Sequence, residues 1–233
     1  MPKRSAALSS VLTALALTGG LTLGADSAEA APQAAPSIVA AVTDVAKADV
    51  DGDKRPDTIS VTMLPGSTDR FRLSVKLATG KSVSTTYTTM YNLSRSERPL
   101  YGAAAMDGQA GSEIIVRNGS GPHTWWYRVF TMRNGRLMVV NSPESRTPNW
   151  CTDSGAVGWR FFIVKGTRMA EHRLIDMYGP SVGGKYAGTL TTFRWKSGGW
   201  QRVSAKSLRA APNSKEAAFA IGWHGLGKHL PAY

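Results

Sequence analysis

Cysteine is almost absent from this chain, because Cys151 is the only one among 233 residues. A disulfide within the chain is therefore excluded, and stability must come from core packing or from a bound metal. The lone thiol is a small buried apolar side chain, a free thiol or the partner of a cysteine in another chain. Acidic residues are also few, since 16 aspartates and glutamates face 28 lysines and arginines for a formal net charge of +12. Such a surface favours anionic partners, although it also serves solubility alone.

Long apolar runs are missing after the first 30 residues, so the sequence predicts no transmembrane segment there. The one such run, from Ala6 to Leu23, follows the basic start Lys3-Arg4 and precedes Ala28-Glu29-Ala30. This order, with its A-x-A site, is typical of a secretory signal peptide. We therefore expect residues 1–30 to be a signal peptide, residues 31–43 to be a flexible lead-in, and the protein to be secreted and extracellular.

Helical patterns are scarce as well. Only residues 214–221 combine a capping serine, Ser214, with good helix formers, which predicts one short C-terminal helix. Elsewhere, short runs rich in valine, isoleucine, threonine and aromatic residues alternate with glycine, proline, asparagine and serine, which indicates antiparallel β-structure. The predicted strands are residues 58–63, 70–77, 81–88, 113–117, 125–132, 137–140, 159–164 and 201–206. Asn134-Gly135 and Ser197-Gly198-Gly199 are predicted hairpin turns.

A repeat with an offset of 56 residues is visible in the sequence. It takes Asp51-Gly52 to Asp107-Gly108 and Asp57 to Glu113, so an acidic turn with a glycine precedes an apolar strand in both copies. Residues 191–200 indicate a partial third copy, because they again combine strand, tight turn and strand. Internal repeats of this length are typical of folds built from stacked units.

The acidic stretch DVDGDKRPD, residues 49–57, places carboxylates at alternate positions. Its candidate oxygen donors to a metal are Asp49, Asp51, Asp53, the carbonyl of Arg55, and Asp57. Ca²⁺ binds six to eight such oxygens, and a tight loop supplies them when carboxylates recur at every second residue. An EF-hand is excluded because its twelfth position requires glutamate and is Ser60 here. Two interpretations stay open, a Ca²⁺ site and a metal-free turn in which the aspartates accept backbone N–H groups.

The loop resembles the FG-GAP or VCBS type of repeat, in which D-x-D-G-D-G-x-x-D leads into an apolar strand. The whole chain is similar to small secreted VCBS-repeat-containing proteins of actinobacteria. The resemblance implies one Ca²⁺ ion held by Asp49, Asp51, Asp53 and Asp57. Lys54 stands where the pattern has its second glycine, which adds a cation and roughly 1 kcal/mol of strain if φ is positive. Ala105 and Gln109 replace two aspartates in the second copy, which is therefore expected to survive only as a turn.

The same resemblance implies that each repeat is a blade of a β-propeller, as in integrin α-subunit heads. The expected fold class is all-β, with antiparallel blade-like repeats of a degenerate or partial β-propeller type. One β-rich domain is expected at residues 44–233, with repeat units at 44–99, 100–148 and 149–212 and a C-terminal segment at 213–233. About three blades are too few to close an ordinary propeller, which has four to eight. An exposed sheet edge is then expected to need the C-terminal segment, a partner or an oligomer.

Catalytic motifs do not converge in this sequence. The four histidines are scattered, no G-x-S-x-G motif occurs, and residues 179–186 depart from a phosphate-binding loop at Tyr186. Seven tryptophans either fill the space between sheets or, where exposed, stack on sugar rings. We therefore expect a secreted non-enzymatic binding or structural module with one Ca²⁺-stabilised loop. Its expected partner is an anionic cell-wall polymer, a polysaccharide or another protein.

Two other classes of function were weighed against this expectation. A small secreted hydrolase with an unrecognised active site is the alternative, for example one that uses Cys151, Asp153 and His172. Nucleic acid is not the expected partner, because no recognisable nucleic-acid motif accompanies the positive charge.

Overall fold

The fold is built from short strands joined mainly by tight turns. The computed structural model describes residues 43–93, 97–153, 157–177, 179–211, 214 and 222–226, all within one unit that spans Ala40–Tyr233. Its described part contains no helix and consists of sheets that are antiparallel apart from one short parallel pair, so the all-β prediction is confirmed. No helix long and apolar enough to cross a membrane occurs among these residues. The predicted signal peptide, lead-in and C-terminal helix lie outside the described residues, apart from Thr43 and Ser214.

The strands follow one another along the whole described chain. They are β1 (Thr43–Ala48), β2 (Asp57–Met63), β3 (Arg70–Lys76), β4 (Ser82–Thr88), β5 (Leu100–Ala104), β6 (Glu113–Ser120), β7 (Thr124–Arg133), β8 (Arg136–Val140), β9 (Trp150–Asp153), β10 (Val157–Val164), β11 (Thr167–Ile175), β12 (Ser181–Val182), β13 (Lys185–Lys196), β14 (Gly199–Ala210) and β15 (Gly222–His224). Each of the eight strands predicted from the sequence overlaps one of these.

Strands β1 to β4 form the first antiparallel array, in which each strand pairs with the next. Strand β3 shows why this segment becomes a strand with one wet face. Its apolar residues Phe71, Leu73 and Val75 alternate with polar ones and are buried, while Arg70 and Arg72 are exposed. Because successive side chains of a strand point to opposite faces, the array has one apolar face.

Strands β5 to β8 form a second array in the same order, since β5 pairs with β6, β6 with β7, and β7 with β8. Asn134 and Gly135 form the predicted turn between β7 and β8, with φ values of 51° and 71°. Strand β6 has three consecutive buried apolar residues, Ile114, Ile115 and Val116. A continuous run of this kind is expected of a strand that is covered on both faces.

Strands β9, β10, β11, β13 and β14 pair in that order as a third antiparallel array. Ser197 and Gly198, at φ values of 53° and 79°, form the predicted turn between β13 and β14. Gly183 and Gly184 form the turn of the β12–β13 hairpin, where a phosphate-binding loop would instead lead into a helix. Strand β15 pairs with β10 in parallel. Pairing of β7 with β9 joins the second and third arrays into one 11-stranded sheet.

Two apolar cores lie on opposite faces of the second array. The first core joins residues of β2, β3 and β4, such as Phe71, to Ile114 and Phe130 of the second array. The second core joins Tyr127 to the aromatic residues of the third array, including Trp159. Each large apolar side chain buried in this way contributes about 1.5–3 kcal/mol to folding. The described strands close into neither a barrel nor a propeller.

Candidate functional site

The first acidic loop connects β1 to β2, where Ala48 and Asp57 are register partners. Asp57 is fully buried, and its two carboxylate oxygens accept backbone N–H groups from different segments. Its Oδ2 accepts from Val50 at 2.9 Å, and its Oδ1 accepts from Ala78 at 2.8 Å. Asp57 therefore ties the loop to the turn between β3 and β4 as well as facing the loop's other carboxylates.

The other aspartates of this loop accept N–H groups of the loop's own backbone. Asp49 accepts from Gly52 at 2.7 Å through Oδ1 and from Lys54 at 2.9 Å through Oδ2. Asp51 accepts from Asp53 at 3.2 Å, and Asp53 accepts from Arg55 at 2.8 Å. These bonds hold the turn without a metal, and each carboxylate oxygen keeps a second lone pair for a cation.

Two residues of the loop have positive φ. Gly52 has φ 85°, which is easily adopted by glycine. Lys54 has φ 68°, so the strain that its position predicts is present, at a cost of roughly 1–2 kcal/mol. A loop that keeps this strain must be stabilised by its other contacts.

Three carboxylates of the loop converge on one point. One oxygen atom each from Asp49, Asp51 and Asp57 lies within 4.8 Å of the others, and such an all-oxygen set fits the preferences of Ca²⁺ or Mg²⁺. Asp53 is outside this trio. The side chain of Arg55, whose carbonyl is the predicted ligand, donates to the carbonyl of Ala78 at 3.2 Å. Partial burial and the neighbouring carboxylates raise the pKa of Asp51. The trio therefore has the hard oxygen donors that a divalent cation requires.

The second acidic loop connects β5 to β6 and repeats two hydrogen bonds of the first at positions 56 residues later. Met106 N–H donates to Glu113 at 2.7 Å, as Val50 does to Asp57. Gln109 N–H donates to Asp107 at 2.8 Å, and Ala104 is the register partner of Glu113. The two loops therefore share these two bonds and a glycine of positive φ, Gly52 or Gly108, although only two of the acidic positions are kept.

A cation from the chain itself occupies the second loop. The Arg133 Nη2 donates to Asp107 Oδ2 at 2.6 Å and to Glu113 Oε1 at 3.2 Å. Thr131 adds a hydroxyl bond to Glu113 at 3.0 Å. Asp107 is 1% and Glu113 0% exposed, and burial, with a smaller contribution from Asp107, raises the pKa of Glu113. By contrast, none of the four aspartates of the first loop forms an ion pair within the described part of the chain.

The two loops also pack against each other. Ser112 N–H donates to the carbonyl of Asp49 at 2.8 Å. A Cβ added to Gly52 would lie 2.6 Å from the Cβ of Ala110, which is closer than two non-bonded carbon atoms approach in proteins. On its other side, the second loop is held by Arg168, which donates to the carbonyls of Met106 and Ala105. Movement in the first loop is therefore coupled to the second.

His172 and Cys151, the residues considered for a hydrolase, are poorly suited to catalyse hydrolysis. His172 packs 4.4 Å from the Trp159 ring, and burial lowers its pKa to about 4, so the ring is neutral at pH 7. Its Nδ1 lies 3.7 Å from the Glu144 carboxylate, which is half exposed, and burial outweighs this contact. Burial, with Asp153 as a smaller cause, raises the pKa of Cys151 to about 11. A thiol that stays protonated at neutral pH is a weak nucleophile.

Sequence reasoning identified the residues of the first loop but missed Arg133. The available signal was indirect, because two acidic residues kept close together in one turn require a cation when they are buried. Comparisons with protein-family models, with curated proteins and with solved structures gave no match.

Proposed function

We propose that the protein is a secreted, non-enzymatic binding module of the FG-GAP or VCBS type, in which the first acidic loop holds one Ca²⁺ ion. The observation that carries this proposal is the contrast between the two loops. Asp107 and Glu113 share the guanidinium of Arg133, whereas Asp51 and Asp57, at the matching positions, have no described cation. Because unpaired carboxylates this close repel one another, a cation from solution would stabilise the first loop.

Asp49, Asp51 and Asp57 would hold the ion, and its charge would offset their mutual repulsion. Asp57 also accepts the Ala78 N–H, so an ion at this point stiffens the loop together with the β3–β4 turn. The role of the ion in this proposal is structural, since the described loop offers no group placed for catalysis. The Lys54 strain and its nearby charge weaken the site, which favours an affinity in the 10⁻⁴–10⁻³ M range of extracellular modules.

In this proposal, each of the three antiparallel arrays is one blade-like repeat. Support comes from the second array, which packs both of its faces against the other two through Phe130 and Tyr127. Further support comes from the matching loops that precede β2 and β6, whose glycines Gly52 and Gly108 have φ values of 85° and 78°. An open stack of blades presents grooves between arrays, which suits binding of an extended partner such as an anionic wall polymer.

Thermal melting with and without Ca²⁺ tests the metal part of the proposal. At 10 mM Ca²⁺, a site with the affinity above stabilises the folded chain by about 1–3 kcal/mol. For a chain of this size the melting temperature should rise by roughly 3–10 °C. Asp51→Asn should abolish the rise, whereas the charge-matched control Asp69→Asn, at a residue outside the loop, should keep it.

A further variant distinguishes the ligand set that the resemblance implies from the one that the geometry favours. The resemblance assigns Asp53 as a ligand, whereas the structure leaves it outside the converging trio. Asp53→Asn should therefore keep most of the Ca²⁺-dependent rise. A wild-type melting temperature that does not respond to Ca²⁺, or an equal response in Asp51→Asn, would reduce the first loop to a metal-free turn.

A further inference from the structure

A cleft of about 1050 Å³ opens between strand β8, with the turn that follows it, and the tip of the β13–β14 hairpin. It is separate from the first acidic loop, since no residue of 49–57 lines it, although Asp107 of the second loop does. Its size matches the clefts that enclose small or extended ligands. The residues of its two walls indicate what kind of ligand fits.

One wall is an aromatic and basic face of the hairpin. Trp195 is the register partner of Trp200, and Phe193 is the partner of Arg202, so these four side chains lie on one face. The two indoles meet edge to face with centroids 5.3 Å apart, and Trp200 packs on Phe161 of the second core at 5.9 Å. Trp195 is therefore a half-buried ring fixed from behind by a residue that is anchored in the core.

The opposite wall combines apolar residues with a fixed polar turn. Met138 and Val140 of β8 lie on one face of the strand at the cleft, and Met138 is 52% exposed. The turn after β8 is closed by Ser142 N–H to Thr147 O at 2.7 Å and by Arg146 N–H to Ser142 O at 2.8 Å. These bonds hold the backbone that carries Arg146 at the cleft. The wall is thus preformed, which reduces the entropy that a ligand must overcome.

The charged groups of the cleft leave an excess of positive charge. Three arginines face two acidic residues, and Arg133 is already paired with Asp107. Glu144 is the other acid, and its carboxylate lies 3.7 Å from His172. Arg146 and Arg202 are exposed and form no ion pair among the described residues. No acidic residue occurs anywhere in β13 or β14, so the field at this wall is positive.

We propose that this cleft binds an acidic oligosaccharide, with one sugar ring against Trp195 and sugar carboxylates against Arg146 and Arg202. Amide side chains at the cleft, Asn134 and Asn141, have both donors and acceptors for sugar hydroxyls. Guanidinium groups recognise carboxylates through paired N–H donors. The inference rests on the proposed binding function and specifies the chemistry of its partner.

Calorimetric titration of the full chain with hexagalacturonic acid tests the inference, with neutral cellohexaose and single-stranded oligothymidylate as comparison probes. We expect hexagalacturonate to bind at least about tenfold more tightly than cellohexaose, as charged hydrogen bonds to two arginines would give. Trp195→Ala and Arg202→Gln should each weaken binding about tenfold. Arg194→Gln is the matched control, because this substitution removes the same charge from the opposite face of the same hairpin.

Several outcomes would overturn the inference. They are no binding of hexagalacturonate, equal binding of cellohexaose, tighter binding of oligothymidylate, and equal losses in Arg194→Gln and Arg202→Gln, which would indicate charge alone. Trp195→Phe controls for misfolding, since it keeps a ring and should retain most of the affinity. Repeating the titration with Asp51→Asn separates this inference from the Ca²⁺ site, because sugar binding should persist in that variant even if Ca²⁺ binding is lost.

Discussion

Among the residues of the second loop and its contacts, removal of Arg133 should lower the free energy of unfolding most. Its guanidinium lies 2.6 Å from Asp107 and 3.2 Å from Glu113, and both of these acids are buried. Arg133→Met keeps the apolar stem but removes the cation that pairs directly with the two buried carboxylates. Loss of one partner from a buried ion pair typically costs about 3–5 kcal/mol, and the 22% exposure of Arg133 places the expected loss near the lower value.

The pH dependence of this loss provides a second, independent check. Burial raises the pKa of Glu113, so between its unfolded and folded pKa values the folded state retains a proton that the unfolded chain has released. The free energy of unfolding therefore falls as pH rises through that window. Without Arg133, the pKa of Glu113 rises further and this fall becomes larger. We expect the destabilisation by Arg133→Met to be greatest near pH 7 and smaller near pH 4.

Urea denaturation of wild type, Arg133→Met and Arg136→Met at both pH values measures these differences. Arg136 is the matched control, because it is the register partner of Arg133 across the β7–β8 turn and is exposed. Arg136→Met should change the free energy of unfolding by less than about 0.5 kcal/mol. Equal effects of the two substitutions, or a loss for Arg133→Met that does not vary with pH, would refute the role assigned to Arg133.

Two further predictions concern the packing around the loops and the third array. Burial lowers the pKa of His172 from 6.5 to about 4, so the unfolded chain binds a proton in this window that the folded chain does not. Stability should therefore fall by about 3 kcal/mol as pH drops from 6.5 to 4, and urea denaturation of His172→Leu should show this part of the pH dependence removed. Gly52→Ala should destabilise more than Gly66→Ala by calorimetric melting, because both have positive φ but only Gly52 faces Ala110 at 2.6 Å. Equal melting temperatures of the two alanine variants would contradict the tight packing between the loops.

Strand β3, with one wet face, and strand β6, with a continuous apolar run, could be predicted from the sequence, whereas β5 and β11 could not. The alternation in β3 is visible because Arg70 and Arg72 reach solvent. Strand β5 was missed because all of its residues are buried, which removes the alternation. Strand β11 was missed because charged residues interrupt its apolar pattern. Glu171 of this strand lies 3.6 Å from Arg173 and 3.8 Å from Arg160, so these charges are tolerated through pairing.

The residues of the candidate site also differ in whether they could be predicted from the sequence. Asp49, Asp51 and Asp57 could be recognised because residues close in sequence form the loop. Arg133 lies 26 residues after Asp107 and reaches it only through the pairing of β6 with β7. The cleft could not be predicted either, since β8 and the β13–β14 hairpin come together only in the folded chain. Local chemistry was therefore visible in the sequence, and contacts that depend on sheet register were not.

The number of Ca²⁺ ions bound per chain distinguishes the proposed metal loop from a metal-free turn. In calorimetric titration of the full chain with CaCl₂, we expect one ion per chain, because the first loop lacks a described cation and the second already holds Arg133. Asp51→Asn should abolish this binding. No measurable binding, two ions per chain, or unchanged binding in Asp51→Asn would contradict the account.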